Sequence, residues 1–197
     1  MLSRSTRGLS WVVSNGRSAR LNQKQTLRSF SSISNKLQQN ENSDEAKYMK
    51  TFTISSLSNE FSYTEATGAS CPSVVVPMDE PVSMSGTGKG PTPLELSLMS
   101  LSGCETITAR YVARSMKVNI ASISCVKMSG TLDVRGMRGT AGIPAHFQNV
   151  DVVFELDTDM DDEKINVLKE RVEKACPVYQ LFKAAGVTMN SEWKRKQ

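Results

Sequence analysis

The 197-residue chain contains few of the side chains that bind metals. It has a single histidine, His146, and its four cysteines show no C-x-x-C spacing. A structural zinc site takes four Cys or His ligands, usually in closely spaced pairs. The sequence therefore predicts neither a metal site nor a cofactor. His146 is a weak candidate for a Cys-His nucleophile pair, and an ordinary place at a strand edge is the alternative.

Acidic residues are absent from the first forty positions, and the first to occur is Glu41. Six of the 24 basic residues lie within residues 1–30, which leaves 18 basic against 20 acidic residues in the rest of the chain. An acid-poor start rich in Ser and Arg is typical of a mitochondrial transit peptide. We expect such a peptide at 1–30 and a matrix location, with an untargeted basic tail as the alternative. The remaining body lacks the basic excess of a nucleic-acid binder.

Long apolar runs are also missing. No segment approaches the ~20 apolar residues that a transmembrane helix needs, so the sequence predicts no membrane span. Residues 31–49 are rich in Ser, Asn, Gln and Lys and are predicted to form a disordered linker. The folded domain is therefore expected over residues 50–197.

The clearest structural signal is a helix over residues 91–116. Thr92, Pro93 and Glu95 occupy the N-cap, first and third helical positions of a capping box. Apolar residues follow at helical spacing on nearly every face, which is typical of a helix enclosed by protein. The sequence thus predicts a long, buried central helix that contains one thiol, Cys104.

Period-two alternation of apolar and polar residues predicts strands elsewhere. Segments with this pattern are residues 51–55 and 60–64, which form an expected hairpin, then 73–77, 120–134, 147–156 and a short 187–189. Two further helices are predicted at 161–176 and 178–183, and Pro177 separates them. Strands in runs with helices set between them indicate an α+β fold with antiparallel sheets.

A glycine-rich loop, residues 83–91, precedes the central helix. Its Lys89 does not stand directly before a helical Ser or Thr, and its glycines lack the four-residue separation of a phosphate-binding loop. We therefore interpret the loop as a flexible connection and not as a nucleotide site.

Cys104 and Cys176 differ in their predicted surroundings. Cys104 lies nine residues beyond Glu95, about 13–14 Å along the helix axis, and so outside the field of the helix N-terminus. It needs a cation from another segment to react as a thiolate. Cys176 lies at a helix C-terminus, where carbonyl dipoles disfavour a thiolate. Such a pair suits a peroxidatic and a resolving cysteine, and two structural core cysteines are the alternative.

Two motifs resemble those of the OsmC/Ohr family of thiol-dependent hydroperoxide reductases. They are residues 90–96 leading to Leu101-Ser102-Gly103-Cys104, and residues 173–178 around Cys176. The resemblance covers about residues 50–193. It implies an intertwined homodimer in which antiparallel sheets pack around a long central helix, with active sites at the subunit interface. It also implies Cys104 as the peroxidatic and Cys176 as the resolving cysteine, organic hydroperoxides as substrates, and a lipoyl-type dithiol as reductant.

The sequence departs from this family at its activating cation. The family's peroxidases hold the thiolate with an Arg that a Glu before the central helix positions, yet no arginine occurs between Arg28 and Arg110. Lys89 is the nearest substitute by position. Glu95 matches the glutamate with a one-residue offset, although capping explains it without catalysis. The departures favour a less characterised OsmC-like branch. A non-catalytic dimer that binds a thiol or hydrophobic ligand is the alternative to an antioxidant peroxidase.

Overall fold

A computed structural model describes residues 48–58 and 60–197 of the chain. The predicted transit peptide and most of the predicted linker lie outside these residues. The strands and α-helices described below belong to one compact unit, Thr53–Gln197. Within the described ranges, no helix combines the length and apolar character needed to cross a bilayer.

The first sheet has three antiparallel strands in the order β1-β2-β3. They are β1 (Ile54–Ser58), β2 (Thr64–Gly68) and β3 (Cys71–Met78). The predicted hairpin is present, but its strands begin at residues 54 and 64 instead of 51 and 60. The turn lies later because the Ser58 hydroxyl donates to the carbonyl oxygens of Glu60 and Tyr63 at 2.9 Å. Pro77 does not end β3, since β3 is an edge strand, where a missing N–H is tolerated.

The predicted central helix is confirmed as α1 (Pro93–Met116). Its capping box is complete, because the Thr92 side chain accepts from the Glu95 N–H and the Glu95 side chain accepts from the Thr92 N–H. One stripe is fully buried, at the i, i+4 spacing of a single helix face. It contains Leu101, Glu105, Ala109 and Ala113.

The expectation that α1 is enclosed on nearly every face is wrong for the single chain. The side opposite the buried stripe is exposed, with Met99 at 55%, Ile107 at 59% and Tyr111 at 71% of their full accessibility. The reason is that α3, α4 and β4 cover only one side of the helix.

The second sheet has the order β4-β5-β6. It consists of β4 (Ser122–Thr131), β5 (Asn149–Asp157) and β6 (Thr188–Arg195). The strand β4 is shorter than predicted because Asp133 caps a single helical turn, α2 (Val134–Met137). The last strand is longer than predicted, and it pairs parallel to β5, so this sheet is mixed. A parallel neighbour requires a crossover connection, which two helices supply.

Those two helices are α3 (Asp162–Ala175) and α4 (Pro177–Ala184). They meet at Cys176, which is both the C-cap of α3 and the N-cap of α4. The buried stripe of α3 packs with that of α1, and α3 also contacts β6. The joint between α3 and α4 is thereby held against the buried face of α1. The α+β fold predicted from the sequence is confirmed.

Candidate functional site

Cys176 lies in the joint between two helices and is fully buried. Its backbone is extended, with φ −76° and ψ 114°, because the ring of the following Pro177 disfavours a helical conformation. The backbone N–H of Tyr179 donates to Cys176 Sγ at 3.5 Å. The proline therefore turns the chain at this point, and the first turn of α4 holds the sulfur in place.

Cys104 lies on α1 opposite this joint and is partly buried against the same core. Both thiols are free, and the Cys104 side chain interacts with the Cys176 thiol by hydrogen bonding and by charge. The fold thus brings together two cysteines that are 72 residues apart in the sequence. Their individual roles in catalysis stay a prediction.

Burial keeps Cys176 in its neutral thiol form. The pKa of this thiol is raised to about 11, mainly by the loss of solvent and less by Cys104, while the Tyr179 N–H opposes the shift. Above its pKa a thiol is a nucleophile, and below it the proton must be removed during reaction. Cys176 therefore needs a proton acceptor before it can form a disulfide.

A buried carboxyl group lies beside the two thiols. Glu105 follows Cys104 on α1 and is 0% exposed, and neither of its side-chain oxygens has a hydrogen-bond partner among the described residues. The pKa of Glu105 is raised to about 8, mainly by burial and secondly by the charge of Glu173, while Lys169 opposes the shift. Glu105 is thus mainly a neutral acid at pH 7.

Sequence reasoning missed Glu105, although a signal for it was present. It stands four residues after Leu101 and four before Ala109, in the middle of the apolar stripe that faces the core. A charged residue in such a stripe is rare unless it is paired or functional. The sequence alone did not show which side of α1 is buried, because apolar residues occur on both sides.

Tyr179 completes the polar cluster at this site. The pKa of Tyr179 is raised to about 12, mainly by burial and also by the charge of Glu173, a hydrogen bond to Glu173 and the charge of Glu105. Lys169 Nζ lies 3.5 Å from Glu173 Oε1. Glu173 therefore has two partners, whereas the neighbouring Glu105 has no hydrogen-bond partner within the described part of the chain.

Glu95 lies at the start of α1 and is exposed. Its Oε2 accepts from the Thr92 N–H at 2.7 Å and from the Thr92 hydroxyl at 3.0 Å, and these bonds hold the pKa of Glu95 below its usual value. Among the described residues, the hydrogen bonds of the Glu95 carboxylate go to Thr92 and not to either thiol. Its capping role is confirmed, and its catalytic role stays a prediction.

A family model for OsmC-like proteins matches residues 86–192, which is more than half of the chain. The chain belongs to the OsmC-like family. The matched segment contains α1, Cys104, Cys176 and the helices α3 and α4 on either side of Cys176. The family resemblance predicted from the sequence motifs is therefore confirmed.

Solved structures of OsmC-like proteins have the same fold. An OsmC-like protein from Mycoplasma pneumoniae is 20% identical with a TM-score of 0.63, covering 75% of this chain and 99% of that one. An organic hydroperoxide resistance protein OsmC from Legionella pneumophila is 15% identical with a TM-score of 0.55, covering 76% and 98%.

A putative organic hydroperoxide resistance protein from Vibrio cholerae, with captopril bound in one of its active sites, is 14% identical. Its TM-score is 0.53, and the match covers 80% of this chain and 95% of that one. Among curated protein sequences, none matches this chain. At these identities the solved structures show the fold alone.

Lys89 and Arg110 are the basic residues that precede and follow Cys104 most closely in the sequence, and both contact other groups of the chain. Lys89 Nζ lies 3.2 Å from both carboxylate oxygens of Glu60 and 5.3 Å from the centre of the Tyr63 ring. The Arg110 guanidinium donates to the carbonyl oxygens of Ile120 and Ala121 and so fixes the connection from α1 to β4. Lys89 as a substitute for the family arginine stays a prediction.

His146 and the two other cysteines, Cys71 and Cys125, lie outside this cluster in the sequence and have contacts or exposure of their own. His146 lies shortly before β5, and its Nδ1 is 2.6 Å from the Phe147 carbonyl oxygen. Cys125 Sγ donates to the Lys127 carbonyl oxygen at 3.6 Å, and Cys71 is exposed at the start of β3. Within residues 48–58 and 60–197, no three Cys, His, Asp or Glu side chains are grouped to hold a metal ion.

Proposed function

We propose that the protein is a thiol-dependent peroxidase that reduces organic hydroperoxides in defence against oxidative stress. The observation that carries this proposal is the interaction between Cys104 and Cys176, two free thiols that only the folded chain brings together. One sulfur must be accessible to a substrate and the other must reach the first. Cys104 is partly exposed and Cys176 is buried.

The chemistry assigns Cys104 as the peroxidatic and Cys176 as the resolving cysteine. The Cys104 thiolate attacks the terminal oxygen of the hydroperoxide, the O–O bond breaks, and the alcohol leaves with a proton. The resulting sulfenic acid on Cys104 is then attacked by Cys176. A disulfide forms, water leaves, and an external dithiol returns both sulfurs to thiols.

An organic hydroperoxide suits this site better than hydrogen peroxide does. The exposed side of α1 carries the apolar side chains of Met99, Ile107 and Tyr111, and burying an alkyl tail against them contributes about 0.8 kcal/mol per methylene group. The names of the Legionella and Vibrio relatives, which refer to organic hydroperoxide resistance, point to the same substrate class.

The proposed active form is a homodimer. Val74, Val75 and Val76 are consecutive in β3 and are 53%, 50% and 39% exposed, so both faces of the first sheet are uncovered. Among the described residues, the strands of that sheet contact mainly one another. In the proposed dimer a second copy covers this sheet and the exposed side of α1.

The proposed location is the mitochondrial matrix. It rests on the acid-poor, Ser- and Arg-rich residues 1–30, which lie outside the described residues. A matrix protein meets lipoylated enzymes, and a lipoyl-type dithiol is the proposed reductant. A fluorescent protein fused behind residues 1–30 should enter mitochondria, and a diffuse signal would contradict the location without affecting the peroxidase proposal.

The peroxidase proposal is tested by measuring consumption of cumene hydroperoxide by the purified protein with dihydrolipoamide. We expect turnover by the wild type, a loss of about 1000-fold or more in Cys104→Ser, and little change in Cys125→Ser, a matched control in β4. Retained turnover in Cys104→Ser, or none in the wild type, would contradict the proposal.

A non-catalytic dimer is the second candidate function. It is favoured by a cleft of about 360 Å³ whose lining is mostly apolar, with Leu94, Leu98, Leu132 and Phe147 among its residues. A wild type that consumes no hydroperoxide but binds a fluorescent fatty acid or a small thiol would support this function instead.

A further inference from the structure

The peroxidase chemistry described above does not use Glu105. This side chain is fully buried, and neither of its oxygens has a hydrogen-bond partner among the described residues. A buried polar group without a partner is unfavourable, and native structures keep few of them. An orphaned carboxyl beside two interacting thiols therefore calls for a functional account.

The groups that face Glu105 do not supply a free positive charge that would stabilise an ionised carboxylate there. From α3, Lys169 and Glu173 act on it, and Lys169 is already paired with Glu173 at 3.5 Å. From α4, Tyr179 is hydrogen-bonded to Glu173. Cys176 lies at the joint between these helices, within the electrostatic reach of Glu105. Glu105 is thus held as a neutral acid, with one oxygen free to accept a proton and one hydroxyl free to donate.

The resolving step needs both of these capacities. When Cys176 attacks the Cys104 sulfenic acid, the S–H proton of Cys176 must be removed and the leaving hydroxide must be protonated. The buried Cys176 thiol does not ionise readily, because loss of solvent disfavours the thiolate. A base and an acid are therefore required at the same place and at the same time.

We propose that Glu105 relays the proton of the resolving step. Its carbonyl oxygen accepts the proton of the Cys176 thiol while its own hydroxyl proton passes to the hydroxide that leaves Cys104. The S–O bond of the sulfenic acid breaks, the S–S bond forms, water is released, and Glu105 ends the step as a neutral acid. No further oxidant is consumed, because the hydroperoxide has already oxidised Cys104. This inference rests on the proposed peroxidase function.

The relay makes a distinctive prediction for the effect of pH. With neutral Glu105 as the relay, the rate of disulfide formation should change little between about pH 6 and 7.5. Without the relay, the reaction depends on the small ionised fraction of Cys176. Its rate should then rise about tenfold for each pH unit, because the thiolate fraction rises about tenfold per unit when the pH is far below the pKa of the thiol.

The experiment is a single turnover of reduced protein with one equivalent of cumene hydroperoxide, without reductant. Dimedone labelling followed by mass spectrometry measures the Cys104 sulfenic acid, and peptide mapping measures the Cys104–Cys176 disulfide. Both are followed from pH 6 to 9 in the wild type, in Glu105→Gln and in Glu170→Gln. Glu170 is an exposed residue of α3 and serves as the matched control.

In Glu105→Gln, the sulfenic acid should form as in the wild type but persist, with disulfide formation slowed about 100-fold near pH 6.5. That rate should rise steeply with pH and approach the wild-type rate near pH 9. Glu170→Gln should match the wild type throughout. Glu105→Gln with the wild-type rate and pH profile would overturn the relay and leave the peroxidase intact. If the wild type forms no sulfenic acid, both proposals fail.

A second variant, Glu105→Met, tests the same proposal if Glu105→Gln does not fold. Glu105→Met has a similar volume and no polar atom that could relay a proton. Slow, steeply pH-dependent disulfide formation in Glu105→Met supports the relay, and the flat wild-type profile overturns it.

Discussion

Two buried carboxyl groups of this protein have opposite environments. Asp79 accepts five hydrogen bonds, from the Ser62 hydroxyl, the Thr87 hydroxyl and three backbone N–H groups. Glu105 has none recorded among the described residues. The hydrogen bond from Ser62 is the largest of the effects that hold the pKa of Asp79 below its usual value, whereas burial raises that of Glu105 to about 8. Asp79 therefore stabilises a local structure, and Glu105 costs stability at neutral pH.

The first prediction concerns stability and pH at Glu105. The pKa of this group is 4.5 when unfolded and about 8 when folded, so the folded state keeps a proton that the unfolded state releases. The contribution of Glu105 is fully present below pH 4.5 and is lost as pH rises to about 8. The loss is roughly 1.4 kcal/mol per pH unit and up to about 5 kcal/mol in total.

Glu105→Gln should remove this dependence, because an amide does not titrate. The free energies of unfolding of the two proteins, measured in urea, should be similar near pH 4.5, and the variant should be the more stable at pH 8. Parallel curves across this range would show that Glu105 is ionised or paired in the folded protein.

The site residues differ in how far the sequence reveals them. The motifs around Cys104 and Cys176 are local, so the sequence alone identified both. Glu105 was missed because its importance depends on which side of α1 faces α3 and α4. Apolar residues occur on several sides of α1, and the pattern therefore does not distinguish the buried stripe from the exposed one.

At the scale of elements, the glycine-rich loop before α1 is more ordered than its composition suggests. Asp79 accepts from the backbone N–H groups of Thr87 and Lys89 at 3.1 and 3.0 Å, and the Gly88 N–H donates to the Glu80 carbonyl oxygen at 3.1 Å. The interpretation of this loop as a merely flexible connection is therefore wrong. A single carboxylate fixes the path of the chain into the start of α1.

Asp79→Asn provides the second prediction. An amide places N–H groups where two backbone donors now point, so hydrogen exchange at Thr87 and Lys89 should become faster by about tenfold or more. Exchange at Val152 and Phe154 in the core of β5 should change much less. Hydrogen exchange followed by NMR measures both regions in one experiment, and equal acceleration of both would instead indicate global destabilisation.

Gly86 in the same loop provides the third prediction. A Cβ atom there would lie 1.8 Å from the Glu80 carbonyl oxygen, which is backbone and cannot move aside cheaply. Gly86→Ala should lower the free energy of unfolding by about 1–3 kcal/mol. Gly68→Ala, whose Cβ would meet only Ser70 Oγ at 3.8 Å, is the matched control, with a change of about 0.5 kcal/mol or less. An equal loss in both variants would show that the loop adapts.

At the scale of the whole molecule, the subunit leaves much apolar surface uncovered. Met99, Ile107 and Tyr111 form an exposed stripe on α1, and both faces of β3 expose valines. Large contiguous apolar patches on soluble proteins usually mark interfaces. The proposed homodimer accounts for these uncovered surfaces.

The fourth prediction tests that dimer. Ile107→Glu would place a charge in the proposed interface and should weaken dimerisation by about 2 kcal/mol or more, roughly 30-fold in the dissociation constant. Leu181→Glu, on the exposed side of α4, is the control, because Leu181 is similarly exposed at 68% but lies outside the stripe. Sedimentation equilibrium measures both. A wild type that is monomeric at micromolar concentration would contradict the dimer.

The sequence by itself determined the features that depend on near neighbours in the chain. The capping box of α1, the break at Pro177 and the motifs of the OsmC-like family are each written within a few residues, because caps and turns are satisfied by local hydrogen bonds. Only the tertiary structure decided that Cys104 meets Cys176, that Glu105 is buried without a partner, and that Lys89 pairs with Glu60. These three features depend on how the helices and sheets pack. The packing brings residues from different elements together, and a local sequence pattern does not determine the distance between such residues.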